Sequence, residues 1–111
     1  MKQYEIWWAR LPAPAGERPV LLLSRDDAYE YLNKFLAVEI TTRVRGIATE
    51  VPLSRREGVS KRCVANCDNI RTVPRSRLIR KAGVLGGARA VEVKRAVGYA
   101  LRWEELIRAD E

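Results

Sequence analysis

Histidine is absent from this 111-residue sequence, and its only cysteines are Cys63 and Cys67. Without histidine, acid–base chemistry must proceed without the side chain that most often carries it near neutral pH. If both cysteines lie on one strand, their Cα atoms are roughly 13 Å apart, which is too far for a disulfide. Two thiolates also leave a zinc site half complete in one chain, although a dimer can assemble four. We therefore expect buried structural cysteines, no metal and no other cofactor.

Long apolar runs are missing as well. The longest, Pro19–Leu23, is far shorter than the roughly 20 residues that span a bilayer. The opening segment Met1–Glu5 does not lead into the apolar core of a signal peptide. A chain of 111 residues has room for one domain, over residues 1–111, with one modest core. These features predict a single-domain cytoplasmic protein that does not enter a membrane.

Positive charge is what the sequence has in excess. It contains 21 Lys and Arg against 14 Asp and Glu, which leaves a net charge of +7. A compact domain this basic attracts polyanions such as nucleic acid, but the same charge can serve solubility alone, and composition leaves both interpretations open. Several basic residues lie in predicted loops or beside predicted strands, where they can follow a phosphate backbone: Arg43, Arg45, Arg55, Arg56, Arg71, Arg75 and Arg77.

The amino-terminal two-thirds of the chain has the pattern of short strands. An apolar run bounded by turn residues, or an alternation of apolar and polar residues, is typical of a strand. This pattern predicts strands over Tyr4–Leu11, Pro19–Ser24, Phe35–Thr41, Ile47–Leu53, Lys61–Asp68 continuing through Ile70–Val73, and Val84–Leu85. A short helix is predicted over Asp26–Asn33, with Ala28, Tyr29 and Leu32 facing inward, and a helical turn is predicted at Pro74–Leu78.

The last segment has a different period. From Ala88 to Arg108, apolar residues that include Val93, Val97 and Trp103 recur at spacings of three and four, which predicts an amphipathic helix. Gly98 lies inside it at a cost of about 1 kcal/mol relative to alanine, which indicates a close backbone approach. Short strands followed by one helix predict a mainly β, α+β protein, in which a small, strongly curved barrel packs against a carboxyl-terminal helix.

Four motifs, in order, resemble the MazF/PemK family of toxins from type II toxin–antitoxin systems. The resemblance spans about residues 4–101, which leaves residues 102–111 as a helical extension. The most specific motif is the last. In chain order the motifs are Glu5-Ile6-Trp7-Trp8, Gly16-Glu17-Arg18-Pro19 leading into Val20–Ser24, Val38-Glu39-Ile40-Thr41-Thr42, and Asn66-Cys67-Asp68-Asn69 continuing to Leu78.

The resemblance implies a fold and an activity. Members have an SH3-like barrel of the CcdB–MazF type, form homodimers, and cleave single-stranded RNA at short sequences without a metal. An antitoxin with a flexible acidic tail silences them, and DNA is met only indirectly through the antitoxin complex. By resemblance, Arg18 and Thr41 occupy the catalytic positions, and Asp68 lies where the family assists cleavage. The resemblance places Asn69, like Asp68, where the family contacts RNA or assists cleavage, and we also expect RNA contacts from Thr42, Arg43, Asn66, Arg71 and Arg77.

The residue types fit such chemistry, with one gap. The Arg18 guanidinium matches two phosphate oxygens, and the Thr41 hydroxyl can donate a hydrogen bond, but an arginine is a poor base near neutral pH. Asp68 is the candidate base, or the carboxylate that orients Arg18; alternatively, it is a structural partner of Arg71 or Arg77. Thr42 follows Thr41 on the opposite face, so only one of the two threonines is expected in the site.

Two adjacent tryptophans lie in the first predicted strand. Trp7 and Trp8 leave one strand on opposite faces, so one should fill the barrel and the other should lie near the surface. The outer ring is then expected either to contact a dimer partner or an antitoxin, or to be covered by the carboxyl-terminal helix.

The loop Pro12–Glu17 lacks the His-Glu-Gln stretch common in the family. The rival functions are a gyrase poison of the same fold and a non-catalytic SH3-like module that binds nucleic acid or peptide.

Overall fold

The computed structural model describes residues 1–111. It contains six β-strands, three α-helices and two single 3-10 turns. The strands are β1 (Glu5–Leu11), β2 (Gly16–Leu22), β3 (Lys34–Thr41), β4 (Glu50–Leu53), β5 (Cys63–Pro74) and β6 (Leu78–Val84). The helices are α1 (Ala28–Tyr31), α2 (Gly87–Leu101) and α3 (Glu104–Ile107), and the 3-10 turns are Arg55–Glu57 and Arg75–Arg77.

All six strands belong to one antiparallel sheet in the order β4-β5-β3-β2-β1-β6. Helix α2 packs against β4 and β5. Strand β4 lies at the edge of the sheet and contains Pro52. A proline has no backbone N–H to donate to a neighbouring strand, so it is tolerated at an edge. The predicted mainly β fold with a carboxyl-terminal helix is confirmed.

The apolar core lies on both faces of the sheet. One cluster joins Ile6, Val38 and Ile40 to Val93 of α2, and the other surrounds Phe35. Strand β2 contributes to both, since Val20, Leu21 and Leu22 are all fully buried. The prediction that this apolar run is a strand covered on both faces is therefore confirmed.

The pairing of β3 with β5 is interrupted at Glu39. Val38 lies opposite Ile70, whereas Ile40 lies opposite Ala65, so residues 66–69 of β5 face a single residue of β3. A bulge of this kind bends a strand and changes the direction of its side chains. It also joins the two predicted strand segments, Lys61–Asp68 and Ile70–Val73, into one long strand.

Two strand predictions and one helix prediction require correction. The region Ile47–Leu53 forms a strand only from Glu50, because residues 47–50 form a turn in which the Glu50 backbone N–H donates to the Ile47 carbonyl oxygen at 3.0 Å. The last strand is Leu78–Val84, not Val84–Leu85. The predicted inward position of Leu32 is wrong, because α1 ends at Tyr31 and Leu32 is exposed.

The predicted helix Ala88–Arg108 is also interrupted. Helix α2 ends at Leu101, and Arg102 adopts a left-handed conformation with φ of 56°. The chain then turns back, so that α3 lies across α2 at Gly98, where a Cβ atom would come within 2.6 Å of the Ile107 nitrogen. The close approach predicted at Gly98 is confirmed, but Trp103 lies in the turn and is exposed.

A second pair of glycines fixes the segment that follows β4. Gly58, with φ of 90°, ends the 3-10 turn Arg55–Glu57, and its Cα lies against Gly83 of β6. A Cβ on Gly58 would lie 2.1 Å from the carbonyl oxygen of Ala82, and a Cβ on Gly83 would lie 2.1 Å from that of Glu57. Both positions therefore require glycine, and the contact places the backbone just before residues 59–61 against β6. No helix of the chain is both long enough and apolar enough to span a membrane.

Candidate active site

One face of β3 changes character along its length. Phe35 and Ala37 are apolar and buried at the start of the strand, whereas Glu39 and Thr41 follow on the same face at its end. Arg18, near the start of β2, lies on the neighbouring strand and reaches this polar end. The sheet therefore places an arginine, a carboxylate and a hydroxyl together.

Glu39 is the centre of a small network of polar contacts. Its Oε2 accepts hydrogen bonds from Asn69 Nδ2 at 2.7 Å and from Arg71 Nη1 at 2.9 Å. Its Oε1 lies 3.7 Å from Arg18 Nη1, an ion pair longer than a hydrogen bond. The bulge in β5 brings Asn69 to this carboxylate.

Two cavities adjoin at Arg18 and Thr41. The larger cavity, of about 260 Å³, is lined by both residues together with Trp8, Glu17, Pro19, Ile40, Thr42, Val59, Ser60, Lys61 and Cys63. The smaller cavity, of about 110 Å³, is entirely polar and is lined by Arg18, Glu39, Thr41, Arg43, Arg45, Asn66 and Asn69. Across the two, four cationic side chains face two carboxylates, so the surface favours an anionic ligand.

The Thr41 hydroxyl is placed to donate. Its oxygen accepts a hydrogen bond from the backbone N–H of Arg43 at 3.1 Å, and it borders both cavities. A hydroxyl that already accepts from the protein retains its proton for a ligand oxygen. The expectation that only one threonine faces the site is wrong, because β3 ends at Thr41 and the alternation of a strand does not extend to Thr42, which borders the larger cavity.

Three predicted site residues line neither cavity. Asp68 is exposed, and its Oδ2 accepts a hydrogen bond from Thr49 Oγ1 at 2.6 Å. Arg71 lies behind the smaller cavity, with its side chain paired to Glu39. Arg77 belongs to the 3-10 turn before β6. The carboxylate that pairs with Arg18 and Arg71 is therefore Glu39 rather than Asp68, and the proposed role of Asp68 in orienting Arg18 is corrected.

The remaining predicted residues converge. Thr42 borders the larger cavity, and Arg43, Asn66 and Asn69 border the smaller one. Within β5, Asn66 Oδ1 also accepts a hydrogen bond from the backbone N–H of Asp68 at 3.0 Å, which stabilises the bulged backbone. The polar end of β3 thus has side chains around it from β1, β2, the residues that follow β3, residues 59–61 and β5.

Trp7 and Trp8 occupy different environments, although neither is fully buried. The Trp7 indole N–H donates to Glu5 Oε1 at 2.9 Å, and its ring packs against the cluster around Phe35. The Trp8 ring borders the larger cavity, and the guanidinium of Arg80 lies 5.2 Å from its centre. The outer ring is therefore part of the site rather than of a contact with the carboxyl-terminal helix.

The cysteines are structural, as expected. Cys63 and Cys67 are free thiols, both buried, on the face of β5 that packs towards α2. Burial, reinforced by the nearby Asp68 carboxylate, raises the pKa of Cys67 to about 12. Burial and Glu57 likewise raise the pKa of Cys63. Neither thiol is therefore a nucleophile near neutral pH.

Glu39 is the residue that the motif analysis did not select. It was part of a matching motif, yet only the threonines of that motif were assigned to the site. The available signal was a single carboxylate within the apolar run Phe35–Ile40, because a charge rarely occupies a buried strand position unless it is paired. Lys61 and Ser60 were also missed, since they lie in a loop whose sequence carries no motif and which meets the cavity only in the folded chain.

Comparison with known proteins decides the family. The family described as "PemK-like, MazF-like toxin of type II toxin-antitoxin system" matches residues 2–101. The chain belongs to this family. It is 39% identical over 83 residues to the endoribonuclease MazF3 of Mycobacterium tuberculosis, which covers 75% of this chain and 81% of that protein.

Solved structures of MazF proteins share the fold. The Mycobacterium tuberculosis toxin MazF-mt6 aligns with a TM-score of 0.82 at 36% identity, over 88% of this chain and 96% of that one. A structure of MazE–MazF from Deinococcus radiodurans aligns with a TM-score of 0.76 at 25% identity, over 91% and 94% of the two chains. The resemblance to the MazF/PemK family is confirmed.

Proposed function

We propose that this member of the MazF/PemK family is a sequence-selective endoribonuclease that cleaves single-stranded RNA, and that an antitoxin neutralises it. The observation that carries the proposal is the position of Arg18 and Thr41 at the junction of two cavities in a cationic cleft. The naming of MazF3 as an endoribonuclease supports the reaction class. The family description supports the antitoxin.

The cleavage proceeds through the RNA's own 2′-OH. The 2′-oxygen attacks the adjacent phosphorus as its proton leaves, the bond from phosphorus to the 5′-oxygen breaks, and that oxygen takes up a proton. The products are a 2′,3′-cyclic phosphate and a 5′-hydroxyl. DNA lacks the nucleophile and is spared. The protein has to align these atoms, move the protons and neutralise charge on the phosphoryl oxygens.

Arg18 is the residue that neutralises this charge. Its guanidinium lies between the cavities and offers donors that match two phosphoryl oxygens. Thr41 donates its hydroxyl hydrogen to the phosphate or to the nucleophilic oxygen, because its own oxygen already accepts from Arg43 N–H. Arg18 also donates a proton to the leaving 5′-oxygen. Asp68 remains the proposed base; because Thr49 holds its carboxylate outside both cavities, this role requires the ribose beside the cut to extend from the smaller cavity to Asp68.

The two cavities suit different parts of the RNA. The Trp8 ring, on the wall of the larger cavity, offers a flat surface on which an unpaired base can stack. The smaller cavity has amide and guanidinium groups only, apart from Glu39 and the Thr41 hydroxyl, which suits the phosphate and ribose. The sequence preference therefore resides in the larger cavity.

The proposed partners follow from the family. We propose a homodimer, and an antitoxin whose acidic segment competes with RNA for the same cationic cleft. The alignment with the MazE–MazF structure supports an assembly of this kind. Because the substrate is cellular RNA, the proposed location is the cytoplasm, and DNA is met only through the antitoxin complex.

The test is a cleavage assay with the purified protein in EDTA, using a long single-stranded RNA and mapping the ends of the fragments. We expect discrete cuts with 5′-hydroxyl ends, identified by labelling with a kinase before and after phosphatase treatment. Arg18→Ala should lower the single-turnover rate roughly 100- to 1000-fold, since this is what removing one transition-state charge donor costs.

The matched control is Arg25→Ala. Arg25 is exposed and pairs only with Asp27, at 2.6 Å, so the control removes the same side chain far from both cavities. It should cleave as the wild-type protein does. A folded wild-type protein that leaves RNA intact would contradict the enzyme and favour a binding module. Inhibition of DNA supercoiling in a parallel gyrase assay would favour the gyrase-poison alternative.

A further inference from the structure

Glu39 is a buried carboxylate inside a cleft that has to bind phosphates. Its side chain is only 10% exposed, and it lines the smaller cavity beside three arginines. A carboxylate repels the polyanionic substrate, and its burial costs several kcal/mol unless it is paired. The presence of Glu39 therefore opposes RNA binding, and another role has to account for its position.

The two oxygens of this carboxylate have different partners. Oε2 is fixed by two donors on β5, Asn69 Nδ2 at 2.7 Å and Arg71 Nη1 at 2.9 Å. Oε1 has no donor at hydrogen-bond distance and faces Arg18 Nη1 at 3.7 Å. One oxygen thus anchors Glu39 to the sheet, and the other points its charge at the candidate catalytic arginine.

Arg18 would otherwise be poorly restrained. Its only carboxylate partner is Glu39, and its guanidinium lies between two open cavities. An arginine side chain has several freely rotating bonds, and a displacement of about 1 Å at the reacting atoms can cost roughly 100-fold in rate. An anchored negative charge beside it narrows the range of guanidinium positions before RNA arrives.

We propose that Glu39 is a positioning residue for RNA cleavage, which holds Arg18 in its reactive orientation at the expense of RNA affinity. The proposal rests on the proposed function. The anchor consists of Asn69 and Arg71, which keep the Glu39 carboxylate in place beside Arg18.

The first test separates binding from cleavage with Glu39→Gln, which keeps the shape of the side chain but removes its charge. Binding is measured with an RNA of the mapped recognition sequence that carries 2′-deoxyribose before the cut. Cleavage is measured as the single-turnover rate at saturating protein. We expect the dissociation constant to fall several-fold, because a repulsive charge is removed, while the rate falls roughly 10- to 100-fold.

The matched control is Glu104→Gln on α3. It makes the same chemical change at an exposed residue that pairs with Arg108, far from both cavities. It should leave the rate and the dissociation constant unchanged. A Glu39→Gln variant that cleaves at the wild-type rate would overturn the proposal. So would one that is slower only because it binds RNA less tightly, since that result indicates a damaged cleft.

A measurement on the wild-type protein covers the case in which Glu39→Gln does not fold. In ¹⁵N-labelled protein without RNA, the guanidinium signals of Arg18, assigned by their loss in Arg18→Ala, should show slow rotation about the Cζ–Nε bond. Averaged signals, as expected for Arg56, which is exposed and forms no ion pair, would overturn the proposal. This readout needs no RNA cleavage, so it distinguishes a failure of the positioning role from a failure of the proposed enzyme.

Discussion

The two ends of one face of β3 each hold an arginine, but the two arginines have different surroundings. At the start of the strand, Arg75 stacks over the ring of Phe35, with its Cζ 4.9 Å from the ring centre. Its Nη2 donates to the carbonyl oxygens of Tyr29 and Leu32, the second at 3.1 Å. At the end of the strand, Arg18 has one ion pair of 3.7 Å and faces two cavities.

The difference separates a structural arginine from one available to a ligand. Arg75 satisfies the carbonyl groups at the end of α1 through its Nη2, and its guanidinium plane is covered by Phe35. Arg18 retains most of its donors for an incoming anion. Net charge and sequence motifs do not distinguish the two residues, because both are arginines next to a proline in a basic chain.

The largest expected effect comes from replacing each arginine with lysine. A lysine keeps the charge but loses the planar fork of donors. Arg18→Lys should lower the single-turnover RNA cleavage rate roughly 100-fold and leave the melting temperature unchanged. Arg75→Lys should lower the free energy of unfolding by about 1–2 kcal/mol and leave cleavage per folded molecule unchanged.

Both variants are measured by chemical denaturation and by RNA cleavage under conditions where each is folded. The comparison fails if Arg18→Lys lowers stability and Arg75→Lys lowers cleavage, or if each variant loses both stability and cleavage. A stable, inactive Arg75→Lys would place the structural end of β3 within the catalytic machinery.

A smaller effect is expected from Phe35→Leu at the structural end. Phe35 is 1% exposed and packs against Tyr29, with ring centroids 4.6 Å apart, as well as beneath Arg75. Leucine is apolar and of similar size, so the loss should be about 1–2 kcal/mol in the free energy of unfolding, mainly from the two ring interactions. Urea denaturation measures it. A change in the dissociation constant for RNA would show that the two ends are coupled.

The last effect appears only at alkaline pH. Burial, together with Asp26 and Glu5, raises the pKa of Tyr29 from 10.0 to about 12. The folded state therefore favours the protonated phenol, and this contribution to stability is complete below pH 10 and is lost as the pH rises towards 12. Cys67 behaves in the same way between 9.0 and about 12.

Melting temperatures of the wild type, Tyr29→Phe and Cys67→Ala between pH 8 and about 11 separate the two groups. Each variant should lose stability less steeply with pH than the wild type. A wild-type slope that both variants retain would contradict the assignment. In Tyr29→Phe, the part of the alkaline loss of stability that comes from the start of β3 should disappear. The polar end of β3 has no tyrosine and should contribute no such loss.

The sequence predicted the central strands because their patterns are local. In β2, consecutive apolar residues bounded by turn residues identify a strand without reference to any partner. Strand β6 was mostly missed because Arg80 and Lys81 interrupt the apolar pattern, and an edge strand tolerates such charges where a central strand does not. The end of α2 was missed because Trp103 fits the helical period, although Arg102 reverses the chain.

The candidate site was predicted in part for a related reason. Arg18 and Thr41 were found through motifs, and the sheet brings them to the same cavities. The partner of Arg18 was misassigned to Asp68, since the pairing with Glu39 depends on strand register and on a bulge that no local pattern encodes. A lone carboxylate in an apolar strand indicates that a partner exists, but not which residue it is.

The contact between Gly58 and Gly83 has a consequence for how this protein can change over evolutionary time. A side chain at either position would collide with the backbone of the opposite segment, so neither glycine can be replaced while this packing is kept. Two positions distant in sequence should therefore both remain glycine across sequences that retain this packing. A library that randomises residues 57–60 should return Gly58 whenever the Lys61 side of the RNA cleft is kept. Variation in RNA preference is then expected to come from the side chains of Ser60 and Lys61, carried on a backbone that stays the same.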